Sequence, residues 1–417
     1  MKDNLKIIAE KEGISVKELK KRIAKGEVVI LKNSKRDIIG CAVGKGLTTK
    51  VNANIGTSPE ICDLKIELEK LKVAEEVGAD TVMDLSTGGD LDEIRRALLN
   101  EAKIPLGTVP IYQLPYEARK NGKSFVELKP ADFLKVIEKH FQDGVDFATI
   151  HCGINKKILK VLYKRKRICG VVSRGGSLVI EWMKYNKKEN PLYEHFDEIL
   201  AMAKEYDVCL SLGDGLRPGS ILDATDELQI FELLVLGELQ ARAREKKVKV
   251  MIEGPGHIPL NHIYLNVILE KIICDNAPFY VLGPLVSDSG LPYDHFVGGI
   301  GGALAAYYGA DFLCYLTPSE HLGLPTVEDV RQGVIITKLA AHIADIAKGI
   351  KKAIERDKEL SLARARLDFE KMIDLSFDQE KARAVYERYG IKKDFCTMCG
   401  EYCALKKSRK FFKGGKE

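Results

Sequence analysis

The middle of the chain repeats one alternation: a short apolar run ends in polar or glycine-rich residues, and a longer, charge-rich stretch of helical length follows. Eight runs carry it: Thr81–Ser86, Leu106–Tyr112, Phe147–Cys152, Cys169–Arg174, Val208–Asp214, Val248–Glu253, Phe279–Gly283 and Phe312–Pro318. Strands alternating with helices predict parallel βαβ units, and eight such units close into a (βα)8 TIM barrel. A doubly wound open sheet is the competing α/β architecture. It does not require polar groups at the end of every run, yet here they recur: Met83-Asp84, Tyr112-Gln113, His151, Ser173-Arg174, Asp214, Glu253, Tyr280 and His321. Barrel enzymes build their active sites on the face where the strands end.

The flanks read differently. Residues 1–75 hold a charged helix at Val16–Ala24, a strand-like stretch at Val28–Lys32 and the turn-rich KVNANIGTS, which predicts a small α+β cap before a barrel spanning 76–325. Thr326 with Asp329 three residues on marks a helix start. Apolar stripes such as Val334, Ile335, Leu339, Ile343 and Ile346 predict a C-terminal helical region over 326–392. The tail, 393–417, holds three cysteines and then KKSRKFFKGGKE, expected to be a solvated, mobile end.

Composition narrows the classes. A formal charge of +5 on 417 residues gives no reason to expect nucleic acid as a partner. The polar start, Met1-Lys2-Asp3-Asn4, lacks the apolar core of a signal peptide, and no apolar run has the length of a membrane span. A cytoplasmic, reducing setting is therefore expected, in which the ten cysteines serve as core residues or metal ligands rather than disulfides. Cys41, Cys62, Cys152, Cys169, Cys209, Cys274 and Cys314 read as small core side chains.

Cys396-Thr-Met-Cys399-Gly-Glu-Tyr-Cys403 is the most specific signal. Three thiolates at this spacing can wrap a [4Fe-4S] cluster and leave one iron open, as a radical S-adenosylmethionine enzyme needs. A structural zinc site is the other reading, although zinc wants four closed ligands and no fourth Cys or His follows Cys403. His257, in EGPGH, and His321, in TPSEHLGLP, could share a divalent metal with open positions, or act as acid–base or hydrogen-bonding groups. Ser173-Arg174-Gly175-Gly176-Ser177 and Asp214-Gly215-Leu216-Arg217-Pro218-Gly219-Ser220 are glycine-rich turns with arginine and hydroxyls, suited to a phosphorylated substrate or serving as tight barrel turns.

These blocks resemble a known family. GADTVMDLSTGG, GTVPIYQ, VVSRGGS, SLGDGLRPGS, IEGPGH, FYVLGPL, YDH, LCYLTPSEHLGLP and CTMCGEYC are similar to the phosphomethylpyrimidine synthase (ThiC) family of radical S-adenosylmethionine enzymes, from about Val51 to Cys403. The resemblance implies rearrangement of 5-aminoimidazole ribotide into 4-amino-5-hydroxymethyl-2-methylpyrimidine phosphate for thiamine biosynthesis, with release of formate and carbon monoxide. It implies substrate contacts at Asn54, Met83, Tyr112, His151, Ser173, Arg174, Gly175, Asp214, Gly215, Leu216, Arg217, Glu253 and Tyr280, with Glu253, His151 and Asp214 catalytic. It also implies zinc (Zn2+) on His257 and His321, a [4Fe-4S] cluster on Cys396, Cys399 and Cys403, and S-adenosyl-L-methionine as cofactor. A ferredoxin- or flavodoxin-like electron donor is implied too, as is a homodimer in which the cysteine tail docks over the partner's barrel.

The chain departs from the family pattern in three places: the long N-terminal domain of many members is not expected here, and two local stretches differ. Cys403 follows Cys399 after three residues rather than four, and Ser287–Pro292 replaces a more usual turn before Tyr293-Asp294-His295. A paralogous activity, 5-hydroxybenzimidazole synthase, uses the same ribotide and shares nearly all of these residues. Outside this chemistry stand a zinc-dependent hydrolase or lyase centred on His257 and His321, and a binding module whose cysteine tail grips nucleic acid.

Overall fold

The computed structural model describes residues 2–390 and 396–412. The chain divides into two compact units, residues 1–348 and 349–417.

In the first unit an antiparallel pair, β1 (Val28–Leu31) and β2 (Cys41–Gly44), precedes eight strands: β3 (Lys50–Ile55), β4 (Thr81–Asp84), β5 (Leu106–Thr108), β6 (Phe147–Ile150), β7 (Cys209–Leu212), β8 (Val250–Gly254), β9 (Phe279–Leu282) and β10 (Phe312–Cys314). Strands β3 to β10 form a closed parallel barrel in sequence order, shut by β10 pairing with β3 through Leu313 and Val51. At least one helix follows each strand, giving the expected (βα)8 architecture.

Two of the expected boundaries shift. Cys169–Arg174 is not a strand. The N–H groups of Ile168 and Cys169 donate to the Asp223 carboxylate at 2.8 and 3.0 Å, and Gly170 turns the chain at φ +63°, so this apolar stretch is a loop leading into a helix. The missing strand is β3, inside the segment read as a cap. Its inward positions carry Asn52 and Asn54, which disguise the apolar alternation of a strand.

The helix Val327–Ala347 belongs to the barrel unit, not to a separate helical region. It is the eighth barrel helix. Asp345 accepts from the backbone and hydroxyl of Thr49 at the entrance to β3 (3.0 and 2.7 Å), and Lys338 pairs with Asp80 at 3.0 Å. Its capping box, Thr326 with Asp329, is present as expected.

Side chains alternate along each strand, so the barrel interior is filled by Asn52, Phe147, Tyr280 and Phe312, with the Phe312 ring 6.2 Å from Phe147 and 4.3 Å from Tyr280. Val51, Val82, Ala148, Leu210, Ile252 and Leu313 are buried on the opposite, helix-facing side. Five of the seven cysteines read as core are buried. Cys62 and Cys169 are exposed, because each sits in a loop outside the barrel. The second unit contains the helices Lys351–Arg366, Phe369–Asp374 and Gln379–Glu387. Part of the lysine-rich end, expected to be unstructured, is helical over Ala404–Phe412, where Arg409 Nε donates to the Ala365 carbonyl at 2.8 Å. The expected mobile end beyond Phe412, and residues 391–395 at the start of the cysteine tail, lie outside the described residues.

Candidate active site

A cavity with an empty volume of about 480 Å³ opens at the C-terminal ends of the barrel strands. Asn54 from β3, Met83 from β4, Glu253 from β8 and Tyr280 from β9 line it, together with Tyr112, His151, Asp214 and Arg217 from the turns that follow β5, β6 and β7. Residues far apart in sequence are thus brought to one place because barrel closure gathers every strand end on the same face.

The polar groups are wired pairwise. Thr149 Oγ1 and Ser211 Oγ, on neighbouring strands, both donate to Glu253 Oε1 at 2.6 and 3.0 Å. Burial raises the Glu253 carboxyl above its ordinary range, opposed by the Thr149 hydrogen bond. Arg217 donates to Asp214 Oδ1 at 3.1 Å, and Asp214 Oδ2 is buried with no hydrogen-bond partner. Burial pushes Asp214 up to about 8 against the pull of Arg217. His151 is driven down to about 3 by burial, assisted by the Arg217 charge, and is therefore a neutral imidazole at physiological pH. Its Nδ1 is buried and has no hydrogen-bond partner within the protein. Asn52 Nδ2 donates to the Tyr280 hydroxyl at 2.8 Å, and Asn54 Nδ2 reaches Cys314 Sγ at 2.9 Å.

Beside this cavity starts the helix Arg174–Asn186, with Ser173 as its cap: Ser173 Oγ accepts from the Gly176 N–H at 3.1 Å. The two glycines of its first turn allow close approach. A Cβ on Gly175 would stand 2.2 Å from His151 Cε1, and one on Gly176 would stand 2.2 Å from the Gly215 carbonyl oxygen. The Arg174 guanidinium lies over the Tyr112 ring, 4.7 Å from its centroid. Uncapped N–H groups, the positive end of a helix dipole and an arginine form a site suited to a phosphate. Leu216 is buried, its N–H donating to Glu232 Oε2 at 2.6 Å, which fixes the turn from Asp214 to Arg217.

The rings of His257 and His321 face one another with centroids 5.2 Å apart. Each Nδ1 is hydrogen-bonded to a carboxylate, His257 to Asp288 at 2.8 Å and His321 to Asp294 at 3.0 Å. This is the arrangement in which the other ring nitrogen is presented to a metal. Asp288 comes from the Ser287–Pro292 turn, which thereby supplies a carboxylate to one of the two imidazoles. His321 has φ +61°, a left-handed backbone that a side-chain-bearing residue adopts at a cost. Among the described residues no group of three or more His, Cys, Asp or Glu side chains converges to hold a metal; the histidine site consists of two imidazoles.

In the second unit Cys396, Cys399 and Cys403 are free thiols within eight residues, and their side chains do not converge on one point as they stand. The Cys396 carbonyl accepts from the Gly400 N–H at 3.2 Å and the Cys399 carbonyl from the Tyr402 N–H at 3.0 Å. Three soft, unpaired thiols with no competing disulfide suit iron.

The sequence profile of the radical SAM ThiC family matches residues 1–410. The chain belongs to that family. Relatives named phosphomethylpyrimidine synthase align with this ThiC-family chain almost end to end. That of Methanocaldococcus jannaschii is 54% identical over 404 residues, covering 97% of this chain and 95% of its own. That of Thermodesulfovibrio yellowstonii is 52% identical over 410 residues, covering 98% and 96%. Membership makes the chain a radical S-adenosylmethionine enzyme, which implies an iron–sulfur cluster. Among the described residues no helix is long and apolar enough to cross a membrane.

Several residues around this ThiC-family site escape a reading of the sequence alone. Thr149, Ser211, Asn52 and Cys314 lie within strands, where a polar side chain resembles ordinary alternation. Glu232 lies mid-helix, with nothing in the local pattern to set it apart from a solvated glutamate.

Proposed function

We propose that this chain is a cytoplasmic phosphomethylpyrimidine synthase of thiamine biosynthesis, converting 5-aminoimidazole ribotide into 4-amino-5-hydroxymethyl-2-methylpyrimidine phosphate, with formate and carbon monoxide released. The observation that carries this reading is the convergence of Asn54, Met83, Tyr112, His151, Asp214, Arg217, Glu253 and Tyr280 on one cavity beside a glycine-opened helix N-terminus.

The helix start at Ser173, Arg174 and Gly175 binds the ribotide phosphate, and Arg174 is held for that task by stacking on Tyr112. Asp214 and Arg217 hold the polar groups of the ribotide, with Gly215 and Leu216 forming the tight turn that sets their spacing. His151, neutral, offers Nδ1 to the substrate as a hydrogen-bonding group. Glu253, anchored on one oxygen by Thr149 and Ser211, keeps the other for a proton at the imidazole. The strand-end walls, including Met83 and Tyr280, shield reactive carbon from water.

His257 and His321, oriented by Asp288 and Asp294, would hold a zinc ion, which supplies Lewis-acid charge to orient the substrate. Cys396, Cys399 and Cys403 would hold a four-iron cluster, which with S-adenosylmethionine supplies the one-electron cleavage that starts the reaction. A low-potential donor such as ferredoxin or flavodoxin feeds that cleavage, and the active form is a homodimer.

The test is anaerobic reconstitution with iron and sulfide, followed by mass spectrometry of products from ribotide and S-adenosylmethionine. Deoxyadenosine and the pyrimidine phosphate are expected. Failure to form deoxyadenosine overturns the radical mechanism, and a 5-hydroxybenzimidazole product would assign the chain to the paralogous activity.

A further inference from the structure

A second, smaller cavity shares Asp214, Glu253 and Gly254 with the substrate cavity and is lined further by Glu232, Gln229 and Asn266 among apolar side chains. About 20 Å³ of it is open to water centres, enough for a single molecule by the usual threshold of roughly 10–15 Å³. Glu232 reaches this space from the helix Glu227–Glu245 and is 2% exposed. One of its oxygens, Oε2, accepts the Leu216 N–H at 2.6 Å; the other, Oε1, is buried with no hydrogen-bond partner. Asp214 has the same asymmetry, with Oδ1 bound to Arg217 and Oδ2 buried and unpartnered.

Asp214 and Glu232 thus line one water-sized cavity, and each keeps a buried oxygen without a hydrogen-bond partner, which is costly unless that oxygen carries or shares a proton. We propose that Glu232 is the proton store for Asp214, exchanging one proton with it through this cavity while the substrate occupies the other side. The store moves a proton and nothing else. Glu232 Oε1–H gives its proton to the water, the water gives one to Asp214 Oδ2, and the transfer leaves the net charge of the pair unchanged.

Asp214 faces Arg217, Glu253 and Tyr112, whereas Glu232 faces Asp214, the N–H groups of Leu216 and Gly215 and, more weakly, Arg167. Burial pushes both carboxyls up, Glu232 with the help of the nearby Asp214 charge, and each reaches about 8. The two sites are closely matched, so one proton can pass between them at little cost. Outward from the cavity, Gln229 Nε2 donates to Asn266 Oδ1 at 2.5 Å and Asn266 Nδ2 to Thr225 Oγ1 at 2.9 Å. His262 Nδ1 lies 3.3 Å from that hydroxyl, which gives the store a polar path toward the half-buried His262. Glu232 touches no substrate in this arrangement. It is a positioning residue that acts through Asp214, and its role rests on Asp214 belonging to the ribotide site.

Infrared spectroscopy of the full chain, without cofactors, tests the store directly. Asp214 and Glu270 titrate in the same range, so the reading is a difference spectrum: wild type minus Glu232→Gln should contain a protonated-carboxyl band that disappears between mildly acidic and mildly alkaline pH. The same band should remain in Asp214→Asn with its midpoint moved to lower pH, because the neighbouring charge is gone. A difference spectrum without that band, or a midpoint unmoved in D214N, overturns the proposal, and the D214N midpoint decides the matter should E232Q fold poorly. In the reconstituted enzyme, E232Q keeps the acceptor for the Leu216 N–H, so KM for ribotide should stay within about twofold while kcat falls at least about tenfold. Glu232→Leu, which removes that acceptor too, should raise KM as well. Equal kinetics for E232Q and E232L would reduce Glu232 to a structural prop and sink the relay. Ribotide that fails to bind the wild type would instead overturn the assignment of the site itself, a separate outcome.

Discussion

His257 and His321 stand with ring centroids 5.2 Å apart, and each is pinned at Nδ1 by its own aspartate, Asp288 and Asp294. The aspartates fix tautomer and ring direction, so they set how well the pair grips a metal. Asp288→Asn or Asp294→Asn should each weaken zinc binding about 10–100-fold, measured by competition with a chromophoric chelator, with little change in fold. Unaltered affinity in both variants would argue that the histidines do not share a metal.

Gly175 is held against His151 with no room for a side chain. Gly175→Ala must displace either the imidazole or the helix start by an ångström or more. Turnover with ribotide should fall about 100-fold, because misplacement on that scale is enough to do so. Steady-state kinetics beside a circular-dichroism melt separates this from global unfolding: the melt should move by a few degrees at most.

The cysteine turn predicts a sharp chemical phenotype. Cys399→Ser leaves two thiolates, too few for a site-open cluster. After anaerobic reconstitution the variant should lose the broad visible absorbance and most of its iron, and form no deoxyadenosine. Ser substitution at the loop residue Cys62 should leave both iron content and turnover as in the wild type.

Glu270 is fully buried, Lys271 Nζ lies 3.3 Å from one of its oxygens, and burial pushes its carboxyl from 4.5 up to about 8. A carboxyl raised in the folded state favours folding below its unfolded value and loses that advantage as pH climbs through the folded value. Glu270→Gln should therefore give no gain near pH 4.5 and a growing gain up to about pH 8. Above that pH it should reach about 2–4 kcal/mol in urea denaturation. A gain independent of pH would mean that packing, not charge, controls the position.

The chain announces its barrel through repetition, and it announces its polar groups because a barrel needs them only where strands end. What it hides follows from the same physics. β3 escapes notice because Asn52 and Asn54 point into the barrel, where Thr81 and Tyr280 satisfy Asn52 by hydrogen bonds, so a buried strand looks like a polar turn. Cys169–Arg174 makes the opposite error: an apolar, β-branched run becomes a loop because Asp223 captures the backbone N–H groups of Ile168 and Cys169 at its entrance. The candidate site is legible wherever glycine or an unusual turn marks it, as at Gly175 and Asp214. It is illegible at Glu232, Ser211 and Thr149, whose significance depends on neighbours that only folding provides.

The seam between β3 and β10 ties Val51 to Leu313, across most of the first unit. During synthesis the ring of strands has a gap until Phe312–Cys314 has left the ribosome, and the catalytic mouth cannot take shape before then. Such long-range pairing slows folding and leaves strand edges open to other chains. Production of this protein should accordingly be more sensitive to chaperone supply and growth temperature than the stability of the finished barrel suggests.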